Sequence, residues 1–450
     1  MSASHSPGVG EPCAVRGSVL SYRDDPFQSP LEECVVHEPD GVIVMQDGKI
    51  SAFGPADQVL PSLPEGIEVT NYRDSLIVPG FIDCHVHYPQ TEIIGAYGKQ
   101  LLDWLNKYTF VAEQNFRDKA HALEVAKVFL QEGLRSGTTT SCVFCTVDPV
   151  SVDAFFEESE KLGMRNIAGK VLMDRNAPPE LMDTAQNGYD QTKELIARWH
   201  NRGRSLYCVT PRFAPTSTPE QMEMTGAVWK EHPGTYLQSH VSENLGEIEW
   251  VRELYPARTG YLDVYHYYGQ LGERSILGHG VHLTEEEFQI LHDTGTAISH
   301  CPTSNLFLGS GLFSVETAMD SKRPIRVGLA TDLGAGTNFS QLVTMNEAYK
   351  VAQMGGYSLS AHHAYYLATR GAANALYLDD KIGSIAVGME ADIAVLDLKA
   401  TPLMDYRLKY ANDLDEVLFV LMTLGDDRTA RATYVNGNCV YQRVASETQA

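Results

Sequence analysis

A His-x-His pair closes an apolar run within PGFIDCHVHYPQ, which extends from Pro79 to Gln90. Side chains two positions apart on a β-strand point to the same side, so His85 and His87 would share one face. Two imidazoles that face the same way can bind one metal ion. An isolated His-x-His is also common as a polar strand end without a ligand, so the pair predicts a metal site only together with other suitable residues.

Further metal-competent side chains follow β-like runs later in the chain. His240 and Glu243 follow one run, His279 ends the next, and Asp332 follows the last. Each has a structural explanation when taken alone, as a hydrogen-bonded core histidine or as a turn aspartate. In a parallel barrel, however, the carboxyl ends of all strands meet at one mouth, where catalytic residues lie. The shared strand-end position therefore predicts a single site.

The middle of the chain, from about Val78 to Leu378, alternates β-like runs with helical stretches such as Lys119 to Arg135 and Thr284 to His292. This alternation is typical of βα units and a parallel sheet. The eight predicted strands are Leu76–His85, Thr138–Phe144, Asn166–Leu172, Leu206–Thr210, Thr235–His240, Ser275–His279, Ala297–His300 and Arg326–Thr331. Eight such strands predict an α/β fold of the (β/α)8 barrel type.

Both chain ends have a different pattern, with short β-rich runs and turns. The dipeptides Asp47-Gly48 and Asn436-Gly437 each lie between two such runs, which is a strong hairpin signal. We expect residues 1–77 and 384–450 to form one small β-sandwich domain beside a barrel of residues 78–383.

The composition is that of a soluble globular protein, with 450 residues, of which 43% are hydrophobic and 21% charged. A formal net charge of -23 argues against nucleic acid and anionic membranes as partners and favours a small ligand. The sequence shows neither a charged-then-apolar leader nor an apolar run long enough for a membrane span. We therefore expect a cytoplasmic location.

The eight cysteines are too dilute for a disulfide framework, which predicts reduced thiols. Cys142 and Cys145 form a C-x-x-C inside the apolar run TTTSCVFCTV. No second pair accompanies them, so buried small hydrophobic residues are a better interpretation than a zinc or redox site.

Several segments of the sequence resemble the strand-end motifs of the amidohydrolase superfamily. These are PGFIDCHVH, LQSHVSEN, LGHGVHL, SHCPTSN and GLATDLGAG, and GMEADIAVLD resembles the returning β-domain segment of that superfamily. Their order and spacing cover almost the whole chain. Within the superfamily, HVHYPQ with Gln90, PRFAPT with Arg212 and Phe213, and SHVSEN with Glu243 resemble the guanine deaminase family.

The resemblance implies one zinc ion per chain, bound by His85, His87, His240 and Asp332. Three imidazoles and one carboxylate suit Fe(II) as well, so the ligand set alone does not choose the metal. Relatives with two metals carry a bridging lysine on the fourth strand, which reads LYCVT here and has none. Lys170, on the third predicted strand, is the nearest lysine, and a single metal is therefore expected.

The resemblance also implies the chemistry, which is the hydrolysis of guanine to xanthine and ammonia in purine catabolism. A bound metal lowers the pKa of water towards about 7 and so supplies hydroxide at neutral pH. Glu243 would carry one proton of this water to the ring nitrogen and would later help to protonate the departing amine. Asp332 would take the second proton of the water. His279 would orient and polarise the water rather than bind the metal.

Substrate contacts are implied for Gln90, Arg212 and Phe213, and also for His240, Glu243 and Asp332. Arg212 is a permanent donor that suits the 6-oxo group, Gln90 offers a donor and an acceptor, and Phe213 offers a flat apolar surface. From the residues alone, a structural ion pair is an equally good interpretation of Arg212.

Two other functions stay open from the sequence. One is a related zinc aminohydrolase that acts on another purine, a pyrimidine or a triazine. The other is a catalytically inactive barrel that serves as an assembly scaffold, although such a protein has no need of the full ligand set and Glu243. The resemblance further implies a homodimer.

Overall fold

The computed structural model describes residues 12–98 and 100–443, so residues 1–11 and 444–450 of the predicted small domain lie outside the described residues. The β-strands in chain order are β1 (Cys13–Tyr22), β2 (Val35–Gln46), β3 (Lys49–Pro55), β4 (Val69–Pro79), β5 (Phe81–His87), β6 (Thr138–Phe144), β7 (Ile167–Gly169), β8 (Val171–Leu172), β9 (Leu206–Pro211), β10 (Tyr236–Val241), β11 (Ser275–His279), β12 (Ala297–His300), β13 (Arg326–Leu329), β14 (Ile393–Asp397), β15 (Ala430–Val435) and β16 (Asn438–Gln442).

The α-helices in chain order are α1 (Leu31–Cys34), α2 (Ala56–Val59), α3 (Leu101–Trp104), α4 (Phe110–Glu113), α5 (Lys119–Arg135), α6 (Pro149–Leu162), α7 (Ala185–Trp199), α8 (Pro219–Glu231), α9 (Leu245–Leu254), α10 (Tyr261–Tyr267), α11 (Glu285–Thr294), α12 (Pro302–Phe307), α13 (Val315–Ala318), α14 (Gln341–Met354), α15 (Ala361–Ala368), α16 (Arg370–Ala375), α17 (Pro402–Leu408) and α18 (Leu414–Leu424). Every helix of the described residues is too short or too polar to cross a membrane.

The central strands form a parallel sheet with neighbours in the order β13-β12-β11-β10-β9-β7-β6-β5, and β8 pairs with β9. Strands β7 and β8, interrupted at Lys170, together take the third of eight positions. The first and last strands meet where the Asp332 amide donates to the His85 carbonyl at 3.0 Å. The sheet is thus a nearly closed barrel, and the predicted (β/α)8 fold is confirmed.

Burial explains why these strands read as continuous apolar runs. Every residue of β5 and of β6 is buried, because helices cover the outside of the barrel and side chains fill its interior. Helix α5 has the bounds predicted from the sequence, with Gly137 at φ +84° just beyond its end. Helix α11 begins one residue later and ends two residues later than predicted.

The first predicted strand, Leu76–His85, is wrong as one element, because the structure divides it between two sheets. Strand β4 ends at Pro79 in the small sheet, and β5 begins at Phe81 in the barrel and continues to His87. Gly80 makes the connection, and a Cβ atom there would lie 2.1 Å from Oγ1 of Thr139, so only glycine fits. Both strands are buried, so hydrophobicity does not change where the chain passes from one sheet to the other.

The small sheet contains strands from both chain ends, as predicted, in the order β16-β15-β14-β4-β1-β2-β3. The two predicted hairpins join β2 to β3 and β15 to β16, and all four turn residues have positive φ, from +50° to +79°. Strand β4 reaches Pro79, close to the predicted boundary. We propose the division into domains of residues 1–77 with 384–450 and of residues 78–383.

A cluster of charged side chains connects the small sheet to the barrel. Glu390 accepts from Arg165 Nε at 2.6 Å and from Arg204 Nε at 3.1 Å. Arg204 Nη1 also donates to Asp392 at 3.1 Å, and Asp392 accepts the Asn436 amide at 2.8 Å. These partners are far apart in sequence, so the cluster ties the barrel to the segment that enters the returning strands.

All eight cysteines are free thiols. Cys142 and Cys145 are buried, and Cys142 Sγ donates to Gln238 Oε1 at 3.1 Å inside the barrel. Neither belongs to a metal-competent group of the described residues, which agrees with their interpretation as small core residues.

Candidate active site

The predicted ligand residues meet at the carboxyl ends of the barrel strands. His85 and His87 lie on β5, His240 lies on β10, His279 ends β11, and Asp332 follows β13. The side chains of His85, His87, His279 and Asp332 are buried, and His240 is half-buried. The alternation of side chains along β5 places His85 and His87 on the same side, as the His-x-His spacing predicts.

Unusual backbone conformations direct these side chains into the mouth of the barrel. Ser242, His279 and Asp332 have positive φ values of +48°, +74° and +46°. Such values are uncommon for residues other than glycine and concentrate at functional turns. Gly278 is a glycine for a different reason, because a Cβ atom at this position would lie 2.6 Å from Cε1 of His85. The strand therefore makes room for the imidazole of a neighbouring strand.

The four predicted ligand residues have side-chain atoms close together. His87 Nε2 lies 3.1 Å from His240 Nε2, and Asp332 Oδ1 lies 3.5 Å from Nε2 of both His85 and His87. Ligand atoms bound at about 2.0–2.1 Å to a tetrahedral ion are about 3.3 Å apart. The spacing of these four side chains therefore fits one metal ion.

The protonation of the histidines fits the same conclusion. Burial lowers the pKa of His85, His87 and His240 well below the ordinary value, so the rings are neutral and can bind a metal. His85 Nε2 is buried without a hydrogen-bond partner in the described residues. His240 Nδ1 lies 2.6 Å from the Arg212 carbonyl, which assigns the proton to Nδ1 and frees Nε2 as a ligand atom.

Cys301 is a neighbour of the site that the sequence did not reveal as such. Its Sγ groups with His85, His279 and Asp332 in a second metal-competent arrangement. Burial raises the pKa of the Cys301 thiol well above the ordinary value, and the thiol donates to the Ser299 carbonyl at 3.4 Å. The three-histidine arrangement contains the His-x-His pair and matches the ligands implied by the sequence.

Lys170 is engaged elsewhere. Its ammonium group is fully buried and lies 2.5 Å from Asp183 Oδ2. It is not among the residues that line the cavity described below. This placement supports the expectation of a single metal.

Glu243 faces the cavity from the turn between β10 and α9. Its Oε1 accepts from Ser310 Oγ at 3.0 Å, and its Oε2 lies 3.5 Å from His279 Nε2. Burial raises the pKa of Glu243 to about 7. Glu247 fixes the turn, because its Oε2 accepts the amides of Glu243 at 3.0 Å and Asn244 at 3.1 Å. The carboxyl group is therefore held in place and can exchange a proton near neutral pH.

His279 lies between two carboxylates. Its Nδ1 pairs with Asn305 Oδ1 at 2.9 Å, which directs Nε2 towards Glu243 and towards Asp332 Oδ2 at 3.8 Å. Burial opposes a charge on this ring, but the carboxylates of Glu243 and Asp332 raise its pKa above the ordinary value. His279 is thus suited to hold a polar group between these carboxylates.

All predicted site residues except His85 line one cavity, and His85 lies behind it. Five apolar residues that complete the wall were not predicted: Leu101, Trp104, Leu105, Leu308 and Ala335. Three of them come from the long connection between β5 and α5, and the apolar residues of that connection were the available signal. These side chains make part of the cavity wall apolar.

Arg212 makes a structural ion pair and also lines the cavity, and its contact with the substrate stays a prediction. Its Nη1 donates to both carboxylate oxygens of Glu113, at 2.9 and 2.8 Å. Phe213 is 5% exposed and turns its ring into the same cavity. Gln90 packs against Gly334, where a Cβ atom would lie 2.2 Å from its Oε1. Sequence reasoning missed Glu113.

A parallel barrel with buried histidines, an aspartate and a glutamate at its carboxyl mouth defines a hydrolase of the amidohydrolase class, which is metal-dependent. The sequence matches the Amidohydrolase family over residues 76–440. It is 51% identical over 433 residues to the guanine deaminase of Escherichia coli (strain K12), covering 96% of this chain and 98% of that protein. The chain belongs to the amidohydrolase family, and within it to the guanine deaminases.

Solved structures give the same answer. The E. coli guanine deaminase superposes with a TM-score of 0.92 at 49% identity, over 96% of this chain and 100% of that one. The guanine deaminase from Bradyrhizobium japonicum superposes with a TM-score of 0.93 at 37% identity, over 96% and 100%. A guanine deaminase from C. acetobutylicum with guanine bound in its active site superposes with a TM-score of 0.85 at 29% identity, over the same shares.

Proposed function

We propose that this protein is a guanine deaminase, which hydrolyses guanine to xanthine and ammonia. The observation that carries the proposal is the cavity itself, which Glu243 and Arg212 line together with the metal-competent residues His87 and His240. An aminohydrolase needs a proton carrier beside the reacting carbon and a donor for the ring oxygen. The high identity to named guanine deaminases supports the same substrate.

The proposed metal is one zinc ion per chain, with Fe(II) as the alternative, held by His85, His87, His240 and Asp332. The separations of 3.1 to 3.5 Å between ligand atoms and the lowered pKa values of the three imidazoles support this. When bound, such an ion activates water for attack at neutral pH.

The chain's own groups would carry the protons. Glu243 takes the proton of the attacking water and passes it to the ring nitrogen next to C2 of guanine. Asp332 takes the second proton of the water from the new hydroxyl group on C2 and passes it to the amino group. The C–N bond then breaks, ammonia leaves, and the oxygen on C2 becomes the carbonyl of xanthine. His279 holds the water between the two carboxylates, to which its Nε2 lies 3.5 and 3.8 Å away. Each carboxyl group is protonated and deprotonated once, so the cycle closes.

Recognition of the purine is assigned to Arg212, Gln90 and Phe213. Arg212 donates to the 6-oxo group, Gln90 pairs with the neighbouring polar edge of the ring, and Phe213 contacts its flat face. The apolar side chains of Leu101 and Trp104 on the cavity wall favour a flat heterocycle over a hydrated sugar. A role in purine catabolism, a cytoplasmic location and a homodimer belong to the same proposal, and light scattering of the purified protein tests the last.

Ammonia release tests the proposal directly. The purified enzyme should form xanthine and ammonia from guanine and should release little ammonia from adenine, cytosine or an aminotriazine. Chelation should abolish activity, and zinc should restore it, whereas restoration by iron alone would change the metal. Ammonia from a different heterocycle but not from guanine would favour the related aminohydrolase. A protein without activity on any of them would be a scaffold.

A further inference from the structure

The cavity is covered by a segment that has no counterpart in the minimal barrel, residues 101–117, called here the covering segment. It consists of α3, a π-helical turn at Leu105–Thr109, α4 and a 3₁₀ turn at Gln114–Arg117. Leu101, Trp104 and Leu105 of this segment line the cavity. Its contribution is not only apolar, because Glu113 at its far end is fully buried.

Glu113 makes a buried ion pair with Arg212 of the opposite wall. Both carboxylate oxygens accept from Nη1, at 2.9 and 2.8 Å, and the side chains are 1% and 3% exposed. The Phe110 ring of the same segment lies 5.5 Å from Cζ of Arg212, within the range of a cation–π contact. The side chain of Gln90 approaches the same carboxylate. Glu113 therefore contacts Arg212 and lies near Gln90, the two polar residues assigned to the purine edge.

The arrangement leaves part of the guanidinium for a ligand. Within residues 12–98 and 100–443, the side-chain hydrogen bonds of Arg212 all leave from Nη1. Its Nη2 and Nε keep their N–H groups, and Arg212 lines the cavity. The guanidinium group is planar and rigid. When one of its nitrogens is held, the directions of its other N–H donors are therefore fixed as well.

Stability alone is a poor reason for this pair. Burying two charges costs desolvation energy that their attraction barely offsets, and apolar side chains of similar volume often stabilise a fold more. Without Glu113, in contrast, the cavity wall would contain an uncompensated buried cation with freedom to turn. The pair is therefore best explained by its effect on the orientation of the Arg212 side chain.

We propose that Glu113 is a positioning residue that directs Arg212 towards the ring oxygen of the substrate and makes recognition of that oxygen depend on the seating of the covering segment. This inference rests on the proposed function. Glu113 does not touch the reacting atoms, so it acts through Arg212 and not as a catalytic residue. It should set binding of substrates that carry the oxygen and leave the proton transfers of Glu243 intact.

The test compares guanine with 2-aminopurine, which lacks the 6-oxo group. Glu113→Gln keeps the shape of the side chain and removes its charge, and kcat/KM for guanine should fall about ten- to a hundredfold, mainly through KM. The kcat/KM for 2-aminopurine should change less than about threefold. If 2-aminopurine acts only as an inhibitor, its inhibition constant Ki is compared instead. Glu113→Asp retains the charge and should recover part of the loss on guanine.

A double-mutant cycle with Arg212→Ala isolates the interaction. In the Arg212→Ala background, Glu113→Gln should change kcat/KM for guanine by less than about threefold, because nothing remains to be positioned. Asp183→Asn is the matched control, since it removes the charge from another buried ion pair, with Lys170. It should lower Tm without changing the ratio of the two substrates. Tm and metal content of every variant check that it folds.

The outcomes are distinct. A loss that falls mainly on guanine and disappears in the Arg212→Ala background supports the positioning role. Equal losses on both substrates in Glu113→Gln and Glu113→Asp, or losses that simply add in the cycle, would overturn it and make Glu113 a structural residue. Wild-type protein that does not turn over guanine overturns the proposed function itself, and the positioning role with it.

Discussion

Glu243 is a buried carboxyl group that faces the cavity, and burial raises its pKa to about 7. Glu243→Gln preserves the shape and an acceptor for Ser310 but cannot bind and release a proton. We expect kcat to fall about 10²–10⁴-fold, the usual contribution of general acid–base catalysis. Metal content and Tm should stay close to wild type, and steady-state kinetics with metal analysis measures both.

Glu249→Gln is the control for Glu243→Gln, because Glu249 is 61% exposed on the adjoining helix α9. It should have wild-type kinetics. Near-normal turnover by Glu243→Gln would remove Glu243 from the mechanism.

Among residues 12–98 and 100–443, His85 Nε2 finds no hydrogen-bond partner, and it lies 3.5 Å from Oδ1 of Asp332. His85→Ala should lose metal and activity together, because three remaining ligands hold an ion much less tightly. Metal analysis of wild-type protein should find about one ion per chain. Full loading of His85→Ala would show that the ligand assignment is wrong. Two tightly bound ions per chain in wild type would contradict the single-metal site and would make Lys170 a candidate for the bridging lysine.

At the scale of the elements, neighbouring barrel strands must leave room for each other's ligands. Gly278 on β11 is the clearest example, since a Cβ atom there would lie 2.6 Å from the His85 ring. Gly278→Ala should displace that ring and weaken metal affinity about 10–100-fold, the range seen when the support of a ligand is disturbed. Titration of the metal-free protein with zinc measures the change.

Gly133→Ala tests whether any glycine replacement would have this effect. Gly133 lies within α5, and a Cβ atom there meets nothing within 4 Å. We expect unchanged metal affinity and a free energy of unfolding higher by about 0.4–1 kcal/mol. Unchanged zinc affinity in Gly278→Ala would mean that the His85 ring can move without consequence for the site.

At the scale of the whole molecule, the Arg165, Arg204, Glu390 and Asp392 cluster joins the barrel to the small sheet. Glu390→Gln leaves two nearly buried guanidinium groups with one carboxylate, and should lower the free energy of unfolding by about 1–3 kcal/mol. Activity per folded molecule should not change, because the cluster does not line the cavity. Urea unfolding with parallel kinetics measures both.

The contribution of Glu390 should depend on pH. Burial alone would raise the pKa of Glu390. The hydrogen bond to Arg165 and the charge of Arg204 lower it by more than burial raises it, so the pKa lies below the ordinary value. A carboxyl group with a lowered pKa in the folded state stabilises above its unfolded pKa of about 4.3 and loses this effect as the pH falls through the folded pKa. The stability difference between wild type and Glu390→Gln should therefore be full at pH 7 and shrink in strong acid.

Glu157→Gln gives the comparison for an exposed ion pair, because Glu157 pairs with Lys119 at 37% and 53% exposure. It should cost less than about 1 kcal/mol at any pH. A Glu390→Gln variant as stable as wild type at pH 7 would mean that the cluster does not hold the two sheets together.

Features that depend on near neighbours along the chain could be predicted from the amino-acid sequence. The two-residue spacing of His85 and His87 predicts one shared face because side chains alternate along any strand. Helix α5 has its predicted ends because apolar periodicity and capping residues act within one turn. The hairpins at Asp47-Gly48 and Asn436-Gly437 follow from the positive φ that these residues accept. Eight β-like runs separated by helices were enough to predict the barrel.

Contacts between residues far apart in the sequence could not be predicted and became visible in the three-dimensional structure. Glu113 pairs with Arg212 across 99 positions, and Cys301 lies beside His85, although nothing in either local segment marks a partner. The passage of the chain between two sheets at Gly80 was invisible for a related reason, since both strands are buried and equally apolar. Packing between elements depends on the three-dimensional path of the whole chain, whereas periodicity and turn chemistry report only on the nearest few residues.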